Sequence, residues 1–264
     1  MISIAAARWI CISLAGLIAL RLMAPADAVE RVPRPSQSGF ADVDGIALFY
    51  QVYGSGDPIL LIHGGLSDSD VWRKQIATLS KHHRVIVADS RGQGRSTRDE
   101  TPITYDLMAD DYLALLDQLG EQSVALVGWS DGGIIGLDIA IRHPERLSSM
   151  FIQAANVTPD GAIGHDPDKA VPELKHYENI GDEIHALWAN EPNFTAEQLS
   201  SISVPTEIVI GEHDEAISRD HTKFIADTIP GARFVLLPEV GHSAPIEDPS
   251  GYAEAVLRFI DRVS

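Results

Sequence analysis

The stretch Val124-Ala125-Leu126-Val127-Gly128-Trp129-Ser130-Asp131-Gly132-Gly133 decides the fold. Residues 124–127 are an unbroken apolar run, which suits a strand buried on both faces. Residues 133–141 place apolar side chains at helical spacing. Between them stands Gly128-Trp129-Ser130-Asp131-Gly132, a G-x-S-x-G pattern. A chain that leaves a strand and enters a helix at once must turn sharply, and the flanking glycines allow that turn while lifting the serine oxygen clear of the sheet.

The same rhythm extends in both directions. Apolar runs at 59–62, 85–88, 150–155, 208–210 and 234–237 lack the polar alternation of a one-sided sheet. They alternate with stretches at 71–79, 105–119, 221–229 and 249–260 whose apolar residues recur every three or four positions. Upstream, Asp44-Gly45 separates two apolar segments, a strong hairpin signal. The pattern predicts an antiparallel hairpin leading into a parallel sheet covered by helices on both faces. One interval breaks the alternation: residues 157–204 hold no convincing strand and read as an inserted helical cap, with short helix candidates at 170–179, 181–189 and 195–202. Thr195 and Gln198 fit a capping box for the last of these.

A serine hydroxyl becomes a useful nucleophile only when a base takes its proton and a carboxylate orients that base. His242, in Gly241-His242-Ser243 after the 234–237 run, is placed to serve as the base at the carboxyl edge of the sheet. Asp214, in Gly211-Glu212-His213-Asp214-Glu215 after the 208–210 run, is placed to serve as the acid, with Glu212 or Glu215 as the fallback. The oxyanion formed during attack needs two N–H donors. The amide of Asp131, at a helix N-terminus, supplies one, and Gly65 in His63-Gly64-Gly65-Leu66 supplies the other, with Leu66 as the next candidate. His63 reads as a hydrogen-bonded residue holding that turn. Leu66, Trp129 and Trp188 are the candidate substrate-binding side chains.

Five motifs in one order carry a resemblance: His63-Gly64-Gly65, Asp89-Ser90-Arg91-Gly92-Gln93-Gly94-Arg95-Ser96, the Ser130 turn, Gly211-x-x-Asp214 and Gly241-His242. From about Phe40 onward the chain resembles the α/β-hydrolase superfamily. That resemblance implies an α/β-hydrolase fold: a mostly parallel eight-stranded sheet, helices on both faces and a short helical cap at about 157–204. It also implies a cofactor-independent serine hydrolase of carboxylesterase type, acting on a small-molecule ester. An aminoacyl-ester or peptide hydrolase, a lactonase and a C–C bond hydrolase are the alternatives within the fold, and a non-catalytic small-molecule receptor is the alternative outside catalysis. Serine rather than aspartate at position 130 speaks against the haloalkane dehalogenase and epoxide hydrolase branches. The six residues Gly128 to Gly133 are similar to the elbow of the valacyclovir hydrolase branch, which implies that Asp131 could receive a substrate ammonium group.

Composition narrows the setting. Among 264 residues, 38 acidic and 20 basic side chains give a formal charge of −18, which argues against a nucleic-acid partner because polyanions recruit Lys and Arg. No H-E-x-x-H, Walker or EF-hand pattern is present, so neither a metal nor a nucleotide cofactor is implied. Arg91 and Arg95 read as structural residues tying their loop to neighbouring carboxylates. Residues 1–28 read as a secretory signal: Arg8, a twelve-residue uncharged run at 9–20, and Ala26-Asp27-Ala28 as a cleavage site. Twelve residues fall short of the roughly 20 that span a bilayer. The mature chain is therefore expected to be exported to the periplasm or beyond without stable membrane insertion, with an uncleaved N-terminal anchor as the alternative. The single cysteine, Cys11, lies in that leader.

Overall fold

The computed structural model describes residues 32–263. The leader at 1–28 and Cys11 lie outside them. Strands β1 (Gln37–Val43) and β2 (Ile46–Gly54) form the antiparallel hairpin, turning through Asp44 at φ 44° and Gly45 at φ 84°. The remaining strands are β3 (Pro58–Ile62), β4 (Arg84–Ala88), β5 (Val124–Trp129), β6 (Leu147–Gln153), β7 (Thr206–Gly211) and β8 (Arg233–Leu237). They complete one eight-stranded sheet in the order β1-β2-β4-β3-β5-β6-β7-β8. Its first two pairings are antiparallel and the other five parallel.

Two apolar layers explain why most of these strands are apolar throughout. In β3, Leu60 and Ile62 join the layer beneath helices α2 (Tyr105–Leu119) and α3 (Asp131–Arg142), whereas Ile59 and Leu61 join the layer beneath α1 (Arg73–Leu79) and the C-terminal helix Pro249–Val263. Successive strand residues point to opposite faces, so a strand covered on both sides has no place for a polar alternate. Each fully buried Leu or Ile contributes about 1.5–3 kcal/mol relative to exposure. The edge strand β8 departs from the expectation of two-sided burial, since Phe234 and Leu236 remain partly exposed. Val235 and Leu237 pack into the layer beneath α1, whereas Phe234 and Leu236 lie on the face of α6 (Arg219–Thr228), with β7 as the one strand beside them.

The interval between β6 and β7 contains α4 (Ile180–Asn190) and α5 (Ala196–Ser201). The Thr195–Gln198 capping box is present, with both reciprocal hydrogen bonds formed. The helix expected at 170–179 is absent, and that segment runs as an irregular loop. Pro172 removes a backbone donor inside it, and Val171 lies exposed. No helix among the described residues is long and apolar enough to cross a membrane.

Candidate active site

Four loops meet at the carboxyl edge of the parallel strands, where open α/β sheets place their sites. Ser130 follows β5 directly and caps α3, with φ 54° and ψ −119°. The glycines of the motif are demanded by contact as well as by the turn. A methyl group on Gly128 would lie 2.3 Å from the Gly132 carbonyl oxygen, and one on Gly132 would lie 2.2 Å from that of Ile62. No side chain fits either position.

His242 Nε2 lies 3.1 Å from Ser130 Oγ, and its Nδ1 lies 3.2 Å from each oxygen of Asp214. An ionised carboxylate only accepts, so Nδ1 carries the proton and Nε2 is left to accept from the serine hydroxyl. Asp214 is itself fixed, because its Oδ1 accepts the amides of Ala216 and Ile217 at 2.9 and 2.8 Å. Glu215, a fallback for the acid, instead accepts the His242 amide at 3.1 Å and holds the base loop. The structure thus brings Ser130, His242 and Asp214 into one relay.

The oxyanion loop also reaches the elbow. A methyl on Gly64 would stand 3.2 Å from Ser130 Cβ, and one on Gly65 would stand 2.4 Å from Asp131 Oδ2. The Leu66 amide is committed to Gln93 Oε1 at 2.6 Å, which leaves the Gly65 amide as the donor from this loop. The Asp131 amide lies in the first turn of α3, where no carbonyl stands one turn back to accept it. His63 holds the turn as expected: its Nε2 accepts the Ser90 amide at 2.9 Å and its Nδ1 donates to the Gly64 carbonyl at 2.7 Å. Burial drives its pKa down and keeps it neutral. Arg91 pairs with Asp111 and Arg95 with Asp89, both structural.

A cavity of about 180 Å³ opens beside Ser130, Asp131 and His242, walled by Asn156, Ala162, Trp188, Glu191, Ala216 and Ile217. Of the expected substrate-binding side chains, Trp188 lines it. Leu66 points outward at 46% exposure, and Trp129 packs behind His242 with its indole N–H donating to the His242 carbonyl at 2.9 Å. Neither of these two is in the cavity wall. Sequence patterns gave no sign of the wall residues Asn156, Ala162 and Glu191, because their place depends on how the cap folds back.

Asp131 is buried, and burial pushes its carboxyl up to about 6 despite hydrogen bonds from Trp188 and Tyr105 that oppose the shift. Burial likewise raises Glu191. The cap is tied to the core by a second buried carboxylate, Glu183, which pairs with Arg98 and accepts the amides of Ile103 and Tyr177 at 3.0 and 3.1 Å. Among the described residues, Glu212, His213 and Glu239 bring potential metal-ligand atoms within 4.8 Å of one another. The Glu212 carboxylate there already accepts the Glu239 amide at 3.2 Å.

Comparison with known proteins identifies the family. The family described as alpha/beta hydrolase fold matches residues 57–179. The human serine hydrolase BPHL is 30% identical over 230 residues, covering 76% of this chain and 78% of that protein. The chain belongs to the α/β-hydrolase family. Within that family it is also 25% identical, over 279 residues, to 2-hydroxy-6-oxo-6-(2'-aminophenyl)hexa-2,4-dienoic acid hydrolase of Metapseudomonas resinovorans, covering 88% of this chain and 95% of that protein. A solved structure described as Est816, an N-acyl homoserine lactone degrading enzyme, aligns with a TM-score of 0.70 at 27% identity, covering 84% of this chain and all (100%) of that one. Two of these relatives are described by unlike substrates, so the family supports hydrolysis and leaves the scissile bond to the site.

Proposed function

We propose that the protein is a serine hydrolase that cleaves small esters through an acyl-enzyme on Ser130. The observation that carries this reading is the Ser130–His242–Asp214 relay facing a small, mostly apolar cavity. His242 Nε2 takes the hydroxyl proton as Ser130 Oγ bonds to the carbonyl carbon. The oxygen that gains charge is held by the Gly65 and Asp131 amides. The tetrahedral species expels the alcohol, which receives the proton from His242, and an acyl-serine remains. Water then enters, gives a proton to His242 and attacks the acyl carbon, and the serine leaves with that proton restored. A cavity of about 180 Å³ supports a short acyl group over a long chain. We further assign the mature enzyme to an exported location, on the leader reading of residues 1–28.

A panel of p-nitrophenyl esters from C2 to C12, run beside Ser130→Ala and a fluorophosphonate probe, tests the proposal. Turnover of short esters, its loss in Ser130→Ala and labelling at Ser130 are expected. Full activity in Ser130→Ala would overturn the mechanism, and folded protein that resists the probe would favour the receptor reading.

A further inference from the structure

Asp131 sits at the start of α3 with both carboxylate oxygens occupied. Trp188 Nε1 lies 2.9 and 3.0 Å from them, and the Tyr105 hydroxyl donates to Oδ1 at 3.1 Å. Trp188 belongs to the cap helix α4, and Glu191, the residue that follows that helix, accepts the Tyr105 amide with its Oε2 at 3.1 Å. The four residues therefore close a circuit running from Asp131 to Trp188, along α4 to Glu191, across to Tyr105 and back to Asp131. The circuit joins the nucleophile helix, the cap and α2. Trp188 is 37% exposed, yet its ring edge is pressed onto the oxyanion loop: a methyl on Gly65 would meet Trp188 Cζ2 at 2.6 Å. His185 stands edge-on to the indole, with ring centroids 5.2 Å apart.

We propose that the Asp131 side chain is a positioning group for the cap, locking the Trp188 indole across the cavity beside Gly65 and so setting the length of acyl group the cavity admits. The alternative role for this carboxylate, receiving a substrate ammonium, conflicts with the circuit. An indole N–H can only donate, and a cation displacing it would strand that donor in a largely apolar cavity. The buried carboxylate already holds two donors, the Trp188 N–H shared between both oxygens and the Tyr105 hydroxyl on Oδ1, and it stands at the positive end of α3. The assignment goes beyond the ester-hydrolase reading, since the clasp exists whichever bond the site opens.

The test compares Asp131→Ala, Asp131→Asn, Trp188→Phe and the double variant D131A/W188F in the full-length protein. Three readouts are taken: kcat and KM for p-nitrophenyl acetate through octanoate, the ratio of rates on p-nitrophenyl alaninate and propionate, and acrylamide quenching of tryptophan emission. Asp131→Ala and Trp188→Phe are each expected to raise KM for the shortest esters about tenfold and to shift the optimum toward longer acyl chains, consistent with losing a charge-assisted hydrogen bond. The double variant should be no worse than the poorer single, because both break one contact. Asp131→Asn keeps an acceptor oxygen and should restore the wild-type profile to within about threefold. Quenching should increase in Asp131→Ala and stay near wild type in Asp131→Asn. The inference is overturned if the alaninate-to-propionate ratio falls about tenfold in both Asp131 variants while Trp188→Phe leaves it unchanged, since the substrate then reads the charge. It is equally overturned if the quenching of Asp131→Ala matches wild type. Should Asp131→Ala fail to fold, Trp188→Phe and Asp131→Asn decide the question. Should no ester be turned over, the ester reading fails and quenching alone still decides the clasp.

Discussion

The indole N–H of Trp129 donates to the main-chain carbonyl of His242 at 2.9 Å, so the residue just before the nucleophile holds the loop that carries the base. Gln153 Nε2 supports the same carbonyl at 3.2 Å. Trp129→Phe keeps the ring and removes the donor. The expected result is a fall in kcat of about 2–10-fold with KM little changed, the worth of one neutral hydrogen bond. Steady-state kinetics on a short p-nitrophenyl ester check it, and an effect confined to KM would place Trp129 against substrate instead.

Asp214 accepts from His242 Nδ1 and from two amides. Asp214→Asn should lower kcat by about 10³–10⁴-fold, because an amide can present N–H to the ring and reverse its tautomer. Fluorophosphonate labelling should slow in parallel. A loss below tenfold would return the acid role to Glu212 or Glu215.

Glu183 is fully buried, pairs with Arg98 and accepts two loop amides. Glu183→Gln leaves the Arg98 charge without its counter-ion in a mostly buried setting, and breaking such a pair costs about 3–5 kcal/mol. Urea unfolding monitored by circular dichroism measures it. A change under about 0.5 kcal/mol, the ordinary scatter of surface substitutions, would show that the cap does not depend on this pair.

His221 Nε2 accepts the Val157 amide at 3.0 Å where the cap begins, and burial drives its pKa below the usual value. The unfolded chain binds a proton near pH 6.5 while the folded one resists it, so stability from this residue is intact above about 6.5 and falls as the pH drops through and below that value. Asp111 and Asp131, both pushed up to about 6 by burial, act in the opposite sense, since the folded state takes up their protons first on acidification. The difference between wild type and His221→Gln isolates the histidine, because a glutamine oxygen can still accept an amide. The variant should gain relative to wild type by up to about 1.4 kcal/mol per pH unit below 6.5 and should not diverge above pH 7. Unfolding free energies measured at pH 7.5, 6.0 and 5.0 would reveal a parallel offset at all three if titration were not the cause.

Ser130, Asp214, His242 and the Gly64–Gly65 turn were legible because each sits in a short local motif next to a strand end, and local chemistry alone dictates it. The two-layered sheet was legible for a similar reason, as in 59–62, where burial on both faces leaves no polar position. What escaped depends on partners far away in the chain. Glu183 meets Arg98, 85 residues earlier, and Glu191 meets Tyr105, 86 residues earlier. Neither carboxylate differs from a solvated one when read in its own neighbourhood. The spacing at 170–179 mimics a helix, yet Pro172 lies within the segment and Val171 faces outward, and the segment runs as a loop. Trp129 and Leu66 flank the reactive loops, and adjacency in sequence did not translate into a place in the cavity wall.

The left-handed backbone at Ser130, φ 54° and ψ −119°, has a consequence for the energetics of the whole chain. Residues with a side chain hold such conformations at a cost of order 1–3 kcal/mol, and glycine escapes it. The position that arms the nucleophile is then one where the inert Ser130→Gly protein should outlast the active one on heating, so that activity and endurance are set against each other at a single residue.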